Sequence, residues 1–223
     1  MGERLIRGTT LAERRRQRRA ALLASGLELF GTRGYAGTTV EEICRHANVS
    51  SRNFYEEFDN RLDLLRAVSA GIAERALAGF VAVEPEIGVP LTVRRARLRV
   101  GALAHALLDD PRVARVMFVE NIAGWAQYPD LMDDIVGPFA AWLRSVSADH
   151  LDARGVPPRR QAALVVGLVG ATIGVLADWV RSPGGRRPVD EVVDDIVALA
   201  AAILVLPAAG DDTADDTGDD AGP

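Results

Sequence analysis

The chain has 223 residues, 48% apolar and 5% aromatic, with a formal net charge of −5. That is enough apolar material for one large domain or two modest ones, which excludes a globally disordered chain, and the scarcity of aromatics favours helix over an aromatic-rich β-sandwich. A lone cysteine, Cys44, excludes an internal disulfide framework and a Cys-built zinc site, and His46, His105 and His150 lack metal-ligand spacing.

The charge is unevenly distributed. Residues 1–52 hold ten arginines and five acids, while residues 207–223 hold six aspartates and no base. All 26 basic residues are arginine. The basic end points either to a polyanionic partner or to a solvated helix face. An Arg-rich start with no apolar run behind it does not read as a secretory signal, so a cytoplasmic protein is expected.

In chain order the sequence reads as helix after helix. Thr10 with Glu13 forms a capping box for a first helix ending near Gly31, with Ala20, Leu23, Leu27 and Phe30 as its apolar stripe and Gly31 and Gly34 as its stop. Thr39 with Glu42 opens a short second helix that buries Val40, Ile43 and Ala47. Asn48 suits the left-handed conformation of a tight turn. Ser50 caps a short third helix with Phe54 inward, and Asn60 with Asp63 opens a fourth carrying Leu64, Leu65, Val68 and Ile72. After a Pro/Gly break at residues 83–90, further helices are predicted at about 91–109, 111–126, 129–152, 159–181 and 188–206. No segment alternates with period two. The expectation is an all-α protein of about nine helices. A basic unit occupies residues 1–58, a larger helical bundle residues 59–206, and a disordered acidic tail residues 207–223.

Residues 38–58 place two short capped helices around a tight turn, with apolar groups pinning one to the other. That is the layout of a helix-turn-helix, whose second helix enters the major groove. Residues 19–65 closely resemble the DNA-binding region of the TetR family of bacterial transcription regulators. The resemblance rests on Leu29-Phe30, Gly34-Tyr35, Thr38-Thr39-Val40, Ile43, Ala47, Val49-Ser50, Phe54-Tyr55, Phe58 and Arg61 to Leu65.

The resemblance and the chemistry together assign expected roles. Thr39 and Ser50, at helix N-termini, are caps or phosphate ligands. Ser51, Arg52 and Asn53 lie on the exposed first turn of the reading helix, where Arg52 suits guanine and Asn53 adenine. Tyr55 matches the family tyrosine that bonds a phosphate. Arg61 stands where the family usually has lysine and is expected to clamp another phosphate. Arg4 and Arg7 either reach a minor groove or remain in solvent. Three departures stand out: Asn48 for the turn glycine, Arg52 where many relatives have glycine, and Glu56-Glu57 where the family often has a histidine and an aromatic. Two acids there repel phosphate. Cys44, beside Ile43, reads as a small buried apolar residue rather than a redox sensor.

The larger unit offers two further expectations. Ala162 to Ala177 has Thr172 as its sole polar residue and three glycines, Gly167, Gly170 and Gly174, which suit close helix approach. With Val192, Val193, Ile196, Leu199 and Ile203 on the last helix, it predicts a homodimer through a four-helix interface rather than a membrane span. A small hydrophobic or amphipathic effector is expected among the middle helices, at His105, Met117, Phe118, Glu120, Asn121, Trp125, Phe139 and Trp142. The implied activity is a non-enzymatic, cofactor-free, DNA-binding regulator, in the sense of a repressor, acting on double-stranded operator DNA. The alternatives are a helical enzyme using Glu120 and His105 as acid and base, and a sequence-indifferent architectural DNA protein.

Overall fold

A computed structural model of the chain describes residues 10–83, 93–125, 129–182 and 187–205. The expected acidic tail and the arm bearing Arg4 and Arg7 lie outside them, as does the side chain of Trp125. Among the described residues every element is helical. They are α1 (Leu11–Arg33), α2 (Val40–Ala47), α3 (Ser51–Tyr55), α4 (Arg61–Ala82), α5 (Val93–Leu108), α6 (Pro111–Arg115), a π-helical segment (Val116–Glu120), α7 (Asn121–Trp125), α8 (Pro129–Ala153), α9 (Pro158–Arg181) and α10 (Val189–Val205).

The caps form where the sequence places them, because each satisfies backbone donors that a helix start leaves free. Thr10 accepts from the Glu13 amide, Ser50 from that of Asn53, and Asn60 from that of Asp63. Thr39 and Glu42 form a complete reciprocal box. Asn48 adopts φ 53°, ψ 44° and ends α2 in the left-handed region.

The apolar stripe of α1 is rotated from the predicted one. Leu22, Leu29 and Phe30 form its buried centre, Leu23 and Leu27 flank it, and Ala20 is exposed. The reason is that α1 is gripped from three sides, by α2, α4 and α6, rather than from one. Gly31 does not stop the helix. A Cβ there would lie 2.4 Å from Cβ of Arg112, so Gly31 lets α1 and α6 touch. Gly34, at φ 85°, is the residue that turns the chain away.

One apolar core runs without interruption from Leu22 and Phe54 through α4 to Phe118, Leu176 and Ile196. Helix α10 packs on α5 and α9. The Arg97 guanidinium holds the Asp194 carboxylate by two bonds of 2.6 and 3.2 Å. Val192, Val193 and Ile196 are therefore buried within the chain, not available to a second copy as predicted. The outward stripe of α9 is instead Ala163, Val166, Gly167, Gly170 and Gly174, and the three glycines have open space where a Cβ would stand.

Candidate functional site

The three-residue turn Asn48 to Ser50 sets α3 beside α2. Phe54 is the anchor of α3: it is fully buried and meets Phe58 at 5.8 Å between ring centroids. With that face fixed inward, Ser51, Arg52 and Tyr55 must project outward. Arg52 has 89% of its side chain exposed, and Tyr55 is 58% exposed. Asn53 is half-buried beside them. The Ser50 hydroxyl accepts from the Asn53 amide at 3.2 Å, and the Thr39 hydroxyl accepts from the Glu42 amide at 3.2 Å while donating to the Glu42 carboxylate at 2.9 Å. That carboxyl is held below its usual range by the Thr39 backbone and side-chain hydrogen bonds. Thr39 is thus fully used as a cap.

Arg61 is turned inward. Its guanidinium donates to the Thr38 carbonyl and lies 4.1 Å from the centre of the Tyr35 ring. It ties α4 to the α1–α2 connection, where a cation over an aromatic face is favourable. Several arginines of α1 are also engaged. Arg15, Arg18 and Arg19 surround the Glu57 carboxylate, and Arg52 approaches Glu56 at 3.5 Å.

A second site lies in the larger unit. A cavity of about 150 Å³ opens between α4, α5, α8, α9 and the π-helical segment. Met117, Phe118, Asn121 and Phe139 line it. Asn121, 1% exposed, accepts from the Ser69 hydroxyl at 3.1 Å, so its amide is oriented from behind. Among the described residues the charged groups on the lining are Glu74 and Asp134, both exposed to solvent. Pro138 lies within α8 and also lines the cavity. Having no N–H, it leaves the Asp134 carbonyl without the donor that a helical residue 138 normally supplies.

The π-helical segment links this cavity to the helix-turn-helix. Met117 and Phe118 face the cavity, whereas Glu120, two residues beyond Phe118, faces α1. The Glu120 carboxylate accepts from the Tyr35 amide at 2.8 Å and from Nε of Arg115 at 3.0 Å. Arg115 also donates to the Thr32 carbonyl at 3.3 Å, and Arg112 donates to Glu28 at 2.7 Å.

Residues 22–68 match the family pattern of bacterial regulatory proteins, tetR family. That segment, from α1 into α4, carries the pattern of the TetR family's DNA-binding region. The chain is 29% identical over 131 residues to the HTH-type transcriptional regulator RutR of Escherichia coli K12, a match covering 59% of each protein. The matched region thus spans less than two thirds of RutR. It is 26% identical over 181 residues to the HTH-type transcriptional activator FasR of Mycolicibacterium smegmatis, covering 79% of this chain and 77% of FasR. In fold it is similar to a TetR-family regulator of Mesorhizobium loti, with TM-score 0.66 and 18% identity over 86% of this chain and 97% of that one. The fatty acid degradation regulator FadR of Bacillus halodurans superposes with TM-score 0.67 at 14% identity, over 84% of this chain and 94% of FadR.

Within this TetR-family fold the predicted site residues divide. Ser51, Arg52, Asn53 and Tyr55 come together on one outward surface, with Ser50 at its base. Met117, Phe118, Asn121 and Phe139 come together at the cavity. Three expected ligand contacts are corrected. His105 is exposed and pairs with Asp109 at 3.0 Å, because helix packing turns Leu103 and Leu107 inward instead. Glu120 serves the α1 junction, since Arg115 and the Tyr35 amide satisfy its charge there. Trp142 meets Phe80 edge-to-face, 4.6 Å between centroids, beside the cavity rather than on its lining. Sequence reasoning missed Glu74, Leu77, Asp134 and Thr172, which carry no signal that separates lining from ordinary core or surface. Pro138 was the available clue, as an imino acid inside an otherwise helical stretch.

Proposed function

We propose that this chain is a homodimeric, cytoplasmic regulator of the TetR family that binds operator DNA through α3 and is controlled by a small ligand in the larger unit. The observation that carries the reading is the orientation of α3. A fully buried Phe54 on one side leaves Ser51, Arg52 and Tyr55 projecting on the other. Arg52 and Asn53 supply the donors and acceptors that read base edges, and Tyr55 supplies a phosphate contact. In-vitro selection from randomised duplexes tests this. The expected outcome is a near-palindromic site whose halves lie about 10 base pairs apart. Recovery of no shared sequence by a folded protein refutes it.

Dimerisation is supported by α9. Its outward stripe is apolar and small, and Val166 is 66% exposed. The glycines lower helix propensity, and among the described residues nothing lies within 4 Å of where a Cβ would stand. A second copy packed closely against this stripe explains both facts. The same helix passes a length-and-composition test for a membrane span, but 39% of that window is already buried in the chain. Repression needs only that the dimer occupy its site, so it is the simplest sense of regulation for this geometry.

The cavity supports the ligand half of the proposal. At about 150 Å³ it is smaller than the roughly 300–1,000 Å³ of typical ligand pockets. A ligand that widens it would displace the π-helical segment that also holds Glu120 against Tyr35. That provides the differential affinity for two states on which any ligand response depends. The described lining is mainly apolar, and its charged groups are the exposed acids Glu74 and Asp134. It favours an apolar body with a protonated or hydrogen-bond-donating head over a carboxylate such as a fatty acid. Calorimetry with a long-chain alkylamine and the fatty acid of equal length should show binding of the amine alone.

A further inference from the structure

Glu57 follows the reading helix, and its placement differs from that of a surface acid. Its side chain is 1% exposed although it carries a carboxylate. Three arginines within about one helical turn of α1 close over it. Nε of Arg15 donates to Oε1 at 3.0 Å, Nη2 of Arg18 lies 3.8 Å from the same oxygen, and Nη1 of Arg19 lies 4.0 Å from Oε2. Arg19 also donates to the Glu57 carbonyl at 3.2 Å and lies 4.5 Å from the centre of the Phe58 ring. Glu56 adds a second acid, 3.7 Å from Arg18 and 3.5 Å from Arg52. These arginines are the centre of the basic cluster that the sequence offers to a polyanion. Their guanidiniums stay partly open to solvent, with Arg15 65% exposed. They are held beside the end of α3, yet their charge is turned toward the protein.

Resting on the DNA-binding reading above, we propose that Glu57 is a specificity-determining counter-charge. It holds Arg15, Arg18 and Arg19 away from phosphate. Indiscriminate affinity is thereby limited, and discrimination is left to the few groups on α3. Phosphate contacts raise affinity for every sequence alike, whereas base contacts separate one sequence from another. A buried carboxylate that occupies three arginines lowers the first term without touching the second. Glu57 also fixes α1 against the α3–α4 turn, so the same contact sets the angle at which α3 is presented.

The test is fluorescence anisotropy with a random-sequence duplex of about 30 base pairs, titrated across salt from about 0.05 to 0.3 M. The full-length native protein is compared with E57Q, E57D, R15Q and the combined E57Q/R15Q/R18Q/R19Q, each checked for helicity. Freeing one arginine for phosphate steepens the log–log salt slope by about 0.9 and tightens random-sequence binding roughly fivefold to tenfold at 0.1 M. That is the result expected for E57Q. E57D, which keeps the charge, should retain the native slope. R15Q should leave the native slope unchanged, because Arg15 is already occupied, and the combined variant should lose the gain. A folded E57Q with the native slope overturns the proposal, as does a gain that survives in the combined variant. If E57Q does not fold, R15Q decides: a slope shallower by about 0.9 shows Arg15 on phosphate and overturns it. A native protein with no affinity for any duplex at low salt refutes the DNA-binding reading instead.

Discussion

In the proposed complex with operator DNA, Arg52 is the residue on which sequence discrimination turns. Its guanidinium is presented by a helix whose other face is locked by Phe54, and its nearest protein partner is the exposed Glu56, a weak competitor in water. Arg52→Ala is expected to relax preference at one base pair by about 1–3 kcal/mol, read by competition between selected sites and their single-base variants. Equal loss at every position would place Arg52 on phosphate. Arg61 belongs to a different class. Because its cation sits over Tyr35 and on the Thr38 carbonyl, Arg61→Ala should lower the thermal midpoint as well as DNA affinity. Calorimetry on the free protein distinguishes that from loss of a phosphate clamp. Cys44 is buried, and burial pushes its thiol above the ordinary range. A thiol reagent should therefore label it far more slowly in native protein than in denaturant.

At the scale of elements, the contact between α1 and α6 decides how the two units meet. Gly31 permits it and Arg112 fills it. Gly31→Val forces the helices apart, since even a Cβ meets Arg112 at 2.4 Å. The expected outcome is a folded chain in which ligand no longer alters DNA affinity. Retention of the response would place the coupling elsewhere. The same junction is sensitive to acid. Asp110 caps α6, and the hydrogen bond from the Arg112 guanidinium holds its carboxyl below the usual aspartate range. A carboxyl lowered on folding stabilises the native state fully above the ordinary aspartate range and loses that contribution as pH falls through the lowered value. The thermal midpoint should thus fall as pH drops below the ordinary aspartate range, and less steeply in Asp110→Asn.

For the molecule as a whole, continuity of the core is the governing fact. Phe54 beneath the reading helix and Phe118 at the cavity belong to one apolar body joined through α4. Such a body transmits displacement because packed interiors do not deform freely. The outward stripe of α9 sets the other boundary. Gly170→Arg places a long cation where a second copy would pack. It should turn a dimer into a monomer in sedimentation and abolish tight operator binding while leaving helicity intact. A variant that remains dimeric would remove α9 from the interface.

What the sequence determined by itself is the local chemistry: where helices begin, the left-handed Asn48, and the capped pair that frames α3. These depend on residues three or four apart, and a side chain that satisfies its own backbone does so in any surroundings. The inward Phe54 and the outward Arg52 were legible for the same reason. The tertiary structure alone decided where the remaining side chains spend their hydrogen bonds. Glu57 meets Arg15 from 42 positions away, Glu120 meets Tyr35 from 85, and Arg97 meets Asp194 from 97. The rotation of α1, the exposure of His105 and the in-chain burial of α10 have that same origin. A helix has several faces that differ little in hydrophobicity, and the neighbours that assemble around it choose among them.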